Sequence, residues 1–219
     1  MAADDVLLDV GIAALRFYQW AEPTLSLGYF QPHLASRSFP ALPWLRRATG
    51  GDAIVHHHEL TYSLALPAGG EFQPRAVVWM TRFHGLIREV LGQLGVVAHP
   101  CEHPQRLGDI LCFQHHTPGD LIVAGHKVTG SAQRKQHGAL LQHGSILLRQ
   151  SAHTPALPGI AELTGRTVSP EKLREAIVAR FREETGWMLE EKTFDDAERE
   201  LIAERIASRY GAVAWNEKR

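Results

Sequence analysis

Gly119-Asp120-Leu121-Ile122-Val123-Ala124-Gly125-His126-Lys127-Val128-Thr129-Gly130-Ser131-Ala132-Gln133-Arg134 is the stretch on which the reading of this chain turns. The apolar run before Gly125 reads as a strand, Gly125-His126 as a turn, and Lys127-Val128 as a return strand that runs into small residues. Lys127 therefore stands just after a hairpin turn. Glycine and serine on its far side leave room for a ligand to approach the backbone, which a lysine placed for chemistry needs and a solvated one does not.

Outward from this hairpin, Leu140–Leu148 reads as a further strand interrupted at Gly144, where a close backbone approach is expected. On the other side, Leu111-Cys112-Phe113 reads as a short apolar strand between a Gly108-Asp109 turn and His115-His116-Thr117-Pro118. Leu60–Leu66 alternates as a half-buried strand, and Arg75–Leu94 carries apolar residues at helical spacing with Gly95 as a stop. Leu15–Trp20 and Thr24–Tyr29 read as strands of a hairpin turning at Glu22-Pro23, after a short helix over Asp4–Ile12. Ser169-Pro170-Glu171 caps a helix ending near Gly186, and another runs from about Asp195 to Tyr210. Strands then helices in this order predict an α+β fold, a mixed, largely antiparallel sheet with packed helices. Residues 1–219 are expected to form a single catalytic domain, with 167–219 as a C-terminal helical extension.

The chain has 219 residues, 44% of them hydrophobic, and a formal charge of -1, enough to bury a full core and without general affinity for polyanions. Nucleic acid is an unexpected partner. Two cysteines, Cys101 and Cys112, are too few for a disulfide framework and suit a reducing cytoplasm. No apolar run approaches a membrane span and the N-terminus lacks signal-peptide features, so a cytoplasmic protein, with no membrane partner and monomeric, is expected. Arg46 and Arg47 precede Gly50-Gly51, and guanidiniums beside flexible N–H groups suit a carboxylate, a phosphate or a pantetheine phosphate. Taken alone, the same pattern fits a structural hairpin with solvated arginines.

Arg46-Arg47-Ala48-Thr49-Gly50-Gly51-Asp52-Ala53-Ile54-Val55-His56 with Glu59-Leu60-Thr61-Tyr62-Ser63, then Gly125-His126-Lys127-Val128-Thr129-Gly130-Ser131-Ala132-Gln133, then Gln142-His143-Gly144-Ser145-Ile146-Leu147-Leu148, form three ordered motifs. Together they resemble the signature of the lipoate-protein ligase and octanoyltransferase family, and the similarity extends from about Arg16 to Leu148. The resemblance implies a fold similar to biotin protein ligases and class II aminoacyl-tRNA synthetase catalytic domains. It also implies transfer of an octanoyl or lipoyl group to a lysine of lipoyl domains in 2-oxoacid dehydrogenases or the glycine cleavage H protein.

Within that family, ATP-dependent ligases form an acyl-adenylate, whereas one branch of octanoyltransferases takes octanoate from acyl carrier protein onto a cysteine. Cys112, upstream of Lys127, resembles the nucleophile of the cysteine-dependent branch. A thiolate exchanges readily with a carrier thioester, and a neighbouring ammonium stabilises both thiolate and oxyanion. Cys112 and Lys127 are thus the expected catalytic pair. Arg46, Arg47, Gly50, Gly51, His56, Thr129, Gly130, Ser131, His143 and Gly144 are the expected substrate-binding residues. Thr129, Gly130 and Ser131 would supply backbone donors, and His143-Gly144 would line the acyl tunnel.

No cofactor is expected on this reading; ATP and Mg would be needed on the alternative one, a lipoate-protein ligase. Asp52 departs from the glycine or arginine that the family generally has there, and its carboxylate would oppose a nucleotide phosphate. That departure also motivates a second alternative, a non-catalytic acyl- or lipoyl-domain-binding protein. His56-His57-His58, His99, Cys101, His103, Cys112 and His115-His116 include metal-ligand types, but their spacing matches no zinc pattern and no metal is expected.

Overall fold

The computed structural model describes residues 1–68 and 76–219. Helix α1 (Ala2–Asp9) is followed by strands β1 (Ala14–Tyr18), β2 (Thr24–Leu27), β3 (Trp44–Arg46), β4 (Ile54–His56) and β5 (Glu59–Leu66), then by helix α2 (Ala76–Gln93). Short strands β6 (His99–Pro100), β7 (Gln105–Arg106), β8 (His115–His116) and β9 (Leu121–Val123) lead to the long pair β10 (His126–Gln136) and β11 (Ala139–Leu147). Helices α3 (Ile160–Thr164), α4 (Pro170–Thr185), α5 (Asp196–Arg205) and α6 (Val213–Asn216) close the described chain, with a π-helical turn at Ile206–Tyr210.

The main sheet runs β1-β5-β11-β10-β9-β6, antiparallel throughout, and a smaller sheet runs β3-β2-β4 with β2 and β3 parallel. The fold is α+β, as expected. Two-residue turns set the register of its centre. Ala124 and Gly125 between β9 and β10, and His137 and Gly138 between β10 and β11, all have positive φ, the turn geometry whose twist matches that of paired strands. One extra residue, Val128, interrupts the β9–β10 register between Lys127 and Thr129.

Helix α2 buries Phe83, Ile87, Val90 and Leu91 against Leu64, Val128, Leu140 and Ile146 of the sheet, and Leu173, Ile177 and Phe181 of α4 complete the same core. Each such side chain contributes about 1.5–3 kcal/mol on burial. A second cluster gathers Leu25, Leu27, Ala53, Val55 and Leu111 beneath the smaller sheet. Helix α4 starts where the sequence places it, with Ser169 Oγ accepting from Lys172 N and Gly186 left-handed at its end.

Several local expectations change. The first two strands are not a hairpin: β1 pairs with β5, and β2 pairs with β3 and β4 in the other sheet. Strand β5 is buried along its whole length, because α1 covers the face that the alternation assigns to solvent, with Ser63 Oγ donating to Asp4 Oδ1 at 2.6 Å. Leu111–Phe113 is not a strand; Cys112–Gln114 form a single 3-10 turn. The first helix begins at Ala2 and ends at Asp9, and β11 continues through Gly144 unbroken. Arg75, the expected start of the long helix, lies outside the described residues. Among the described residues no helix is long and apolar enough to cross a membrane.

Candidate active site

The turn that begins at Cys112 is hung from the loop leading into β4: Cys112 N donates to Ala53 O at 2.8 Å and Ala53 N to Ile110 O at 3.0 Å. This brings the half-buried thiol to the start of β10, with Cys112 Sγ 3.8 Å from Lys127 Nζ. Lys127 is itself buried, and its Nζ lies 2.7 Å from Asp120 Oδ2, 2.9 Å from His115 O and 3.3 Å from Cys112 O. An isolated ammonium buried this deeply would be strongly disfavoured, and the buried carboxylate of Asp120 offsets that cost. Asp120 is fixed in turn by Thr117, whose N and Oγ1 donate to it at 2.7 and 2.9 Å. Gly130 is required where the lysine crosses the strand: a Cβ there would meet Lys127 Cε at 2.4 Å.

The thiol opens onto a cavity of about 480 Å³, its mouth included, lined by Arg47, Gly51, His56, Cys112, Gly130, Ser131, His143 and Gly144. Eight of the twelve expected site residues therefore meet at one cavity, and Lys127 adjoins it through Cys112. Tyr18, Ile54, Phe113 and Ala132 supply apolar surface. Gly144 is where the expected close approach occurs, since a Cβ would lie 2.3 Å from Gly130 O. Arg46, Gly50 and Thr129 do not line the cavity. Gly50 packs beside Phe30, and Thr129 is wholly buried within β10.

Two buried histidines form part of the wall. Burial and then the Arg47 charge push His143 down to about 3, and its Nε2 shares a hydrogen bond with Thr49 Oγ1. Burial also lowers His56, against the pull of Glu59, whose Oε1 is 2.5 Å from His56 Nδ1. His56 Nε2 meets Ser26 Oγ at 2.7 Å and its ring stacks on Trp20.

The two arginines differ from the anion fork expected of them. Arg46 donates to the carbonyls of Gly28, Gln31 and Asn216 at 2.9, 2.6 and 2.9 Å. Arg47 donates to Ser26 O, Gly50 O and Asp52 O at 2.7, 3.1 and 2.9 Å, and burial lowers its pKa to about 10. Both guanidiniums serve main-chain carbonyls of the 26–31 segment, with Arg46 also bound to Asn216 and Arg47 to the Gly50–Asp52 loop; among the described residues only Arg46 Nη2 and Arg47 Nε of these groups lack a partner. The Asp52 carboxylate is likewise engaged, by His115 Nδ1 and by Gln31 Nε2 at 3.4 Å.

Sequence reasoning missed Asp120 and His115. The signal for Asp120 was an acidic residue entering an apolar strand across a two-residue turn from Lys127; His115 carried no local signal. His57 and His58 are stacked, with His57 Nδ1 2.9 Å from Ser151 Oγ. Among the described residues no three His, Cys, Asp or Glu side chains are grouped so as to hold a metal ion.

With this geometry in place, comparison with known proteins gives a consistent picture. The family model for the lipoyl protein ligase A/B catalytic domain matches residues 1–190. Octanoyltransferase LipM of Kyrpidia tusciae is 35% identical over 92% of this chain and 86% of that protein. Octanoyltransferase LipM of Geobacillus kaustophilus is 32% identical over 100% and 93%. Among solved structures, a putative lipoate protein ligase from T. acidophilum with bound lipoic acid superposes with a TM-score of 0.78 at 21% identity, covering 100% of this chain and 92% of that one. Lipoate-protein ligase A bound with ATP gives 0.79 at 20% identity, covering 99% and 92%. At these identities the structures show the shared fold.

Proposed function

Because the chain belongs to the lipoyl protein ligase A/B catalytic-domain family, we propose that it is an octanoyltransferase of lipoate biosynthesis. It moves octanoyl from acyl carrier protein, through a thioester on Cys112, to a lysine of a lipoyl domain. The observation that carries this reading is the half-buried Cys112 thiol 3.8 Å from a buried lysine, lining a cavity with largely apolar walls. The names of the relatives support octanoyl as the group transferred. A related archaeal ligase has been solved as a system with its E2 lipoyl domain, which supports a lipoyl domain as acceptor, in a 2-oxoacid dehydrogenase or a glycine cleavage H protein.

In the first half-reaction the Cys112 thiolate attacks the carrier thioester. The new Sγ–C bond forms, the carrier sulfur leaves with the electron pair of the broken bond, and it takes a proton to become a thiol. Lys127 faces Asp120, two carbonyls and the thiol, so the geometry suits an ammonium that stabilises thiolate and oxyanion. The β9–β10 register ends at Thr129, and the next three residues, Gly130, Ser131 and Ala132, line the cavity into which the acyl carbonyl would enter. In the second half-reaction the acceptor amine attacks the thioester carbon, an amide forms, and the departing Cys112 sulfur takes up the proton the amine loses.

No nucleotide or metal enters these steps. The ligase reading draws on the fold alone, which this chain shares with a ligase bound with ATP.

Intact-protein mass after mixing with octanoyl acyl carrier protein, without ATP, tests the proposal. Wild type should gain one octanoyl group, lose it on addition of a lipoyl domain, and Cys112→Ser should gain none. Lipoyl-domain modification only with lipoate and ATP, and no adduct, would make the protein a ligase. An acyl or lipoyl domain bound without any covalent product would make it a binding protein.

A further inference from the structure

Three residues beyond Cys112, His115 reaches across the loop that carries the nucleophile. Its Nδ1 meets Asp52 Oδ2, and its Nε2 lies 2.5 Å from Gly108 O. Both ring nitrogens thus have an oxygen partner, one of them a carboxylate, which fixes the ring at both ends. The pair is sheltered, the His115 side chain being 13% exposed and that of Asp52 34%. His115 O is at the same time the carbonyl that receives Lys127 Nζ at 2.9 Å. One residue therefore touches both ends of the 108–115 loop, the loop that Asp52 belongs to, and the lysine opposite the thiol.

The rest of the loop is attached to the same neighbour. Asp52 precedes Ala53, whose main chain brackets Cys112 through Ile110 O and Cys112 N, and Gln31 Nε2 bridges Ile110 O at 3.2 Å and Asp52 Oδ1 at 3.4 Å. A 3-10 turn of three residues has little stability of its own, so the position of Sγ depends on what its flanks hold.

We propose that the His115–Asp52 pair is the positioning device that sets Cys112 against Lys127 for acyl transfer. This rests on the octanoyltransferase reading above and adds to it residues that touch neither acyl group nor thiol. It also gives Asp52, the departure from the family pattern, a local purpose: its carboxylate holds the His115 ring.

The test is single-turnover formation of the octanoyl-enzyme from octanoyl acyl carrier protein, in wild type, His115→Ala, Asp52→Ala, the double variant, His115→Asn and Asp52→Asn. Displacing a nucleophile by about 1 Å can cost on the order of 100-fold. The expected result is a drop of about ten- to a hundredfold in the limiting rate for each alanine variant, with half-saturation by the carrier unchanged. The double variant should be no slower than either single one, as for groups acting as a unit. His115→Asn, whose amide nitrogen stands in for Nδ1, should recover part of the rate. Asp52→Asn keeps an accepting oxygen and so reports on the charge in a chain that still folds; it should be slower than wild type and faster than Asp52→Ala. Alkylation of Cys112 by iodoacetamide, followed by mass, reads the same displacement without substrate and should change in both alanine variants. Unchanged limiting rates, losses that multiply in the double variant, or a loss confined to half-saturation would overturn the proposal. Absence of any adduct in wild type would instead overturn the octanoyltransferase reading.

Discussion

Gly130→Ala separates catalysis from stability at this site. A Cβ at residue 130 would lie 2.4 Å from Lys127 Cε and 2.9 Å from Nζ, with Asp120 Oδ1 at 3.3 Å. Carbon atoms in comfortable contact stand about 3.5–4.0 Å apart, so the end of the lysine must move by about 1 Å or more. The atoms in the way belong to a flexible side chain, so the backbone can stay and the cost of overpacking is about 1–3 kcal/mol. In a chain of this size that lowers the melting temperature by only about 2–4 °C per kcal/mol. Chemistry is less forgiving, because Nζ now holds Asp120 at 2.7 Å and the thiol at 3.8 Å, and a shift of about 1 Å in a reacting group costs on the order of 100-fold. Thermal melting by circular dichroism and single-turnover octanoyl-enzyme formation by intact mass give the two numbers. A Gly130→Ala variant that melts near wild type and acylates at the wild-type rate would refute the reasoning, since Lys127 would then not be needed where it stands.

Gly144→Ala should behave in the opposite way, because its Cβ would meet Gly130 O at 2.3 Å and the Tyr62 hydroxyl at 2.5 Å, and strand backbone cannot swing aside; expression and melting temperature should fall before activity can be read. Asp120→Asn leaves the buried Lys127 charge uncompensated and should destabilise by about 3–5 kcal/mol, measured by urea unfolding. His143 supplies a pH signature. Its folded pKa of about 3 lies below the ordinary 6.5, so the unfolded chain binds the extra proton: its contribution is whole above about pH 6.5 and is lost as pH falls toward 3, by about 1.4 kcal/mol per pH unit. His143→Gln should flatten that part of the acid-unfolding curve, and an unchanged slope would count against a neutral buried imidazole.

How much of this is legible in the sequence depends on how far apart the partners lie. The Lys127 hairpin is written in a few residues and is read directly from the sequence, although its turn is Ala124-Gly125, one residue before the expected Gly125-His126; the β10–β11 turn at His137-Gly138 is not read from the sequence. The resemblance to a family gives Cys112 and Lys127 their roles and brings most of the cavity wall with them. Local reading fails where the competing partner is remote. Glu22-Pro23 looks like a hairpin turn, yet the partner of β1 is β5, far along the chain. Three apolar residues at Leu111–Phe113 are too few for periodicity to tell a strand from a turn. For Arg46 and Arg47 the sequence shows the charge but not the carbonyl and hydroxyl oxygens of other loops that claim it. Asp52 and His115, 63 positions apart, are invisible to each other on the page for the same reason.

The Arg46 contacts bear on where a working protein can be cut. Asn216 Oδ1 receives Arg46 N at 2.8 Å, Asn216 O receives Arg46 Nε at 2.9 Å, and Trp215 Nε1 donates to Arg46 O at 3.0 Å. A segment beyond residue 190, past the part that the family model matches, thus grips the strand that runs into the Gly50–Asp52 loop and, through Ala53, the turn of the nucleophile. Fragment designs, fusions and tags chosen by the family boundary would keep every catalytic side chain and release the clasp that steadies them.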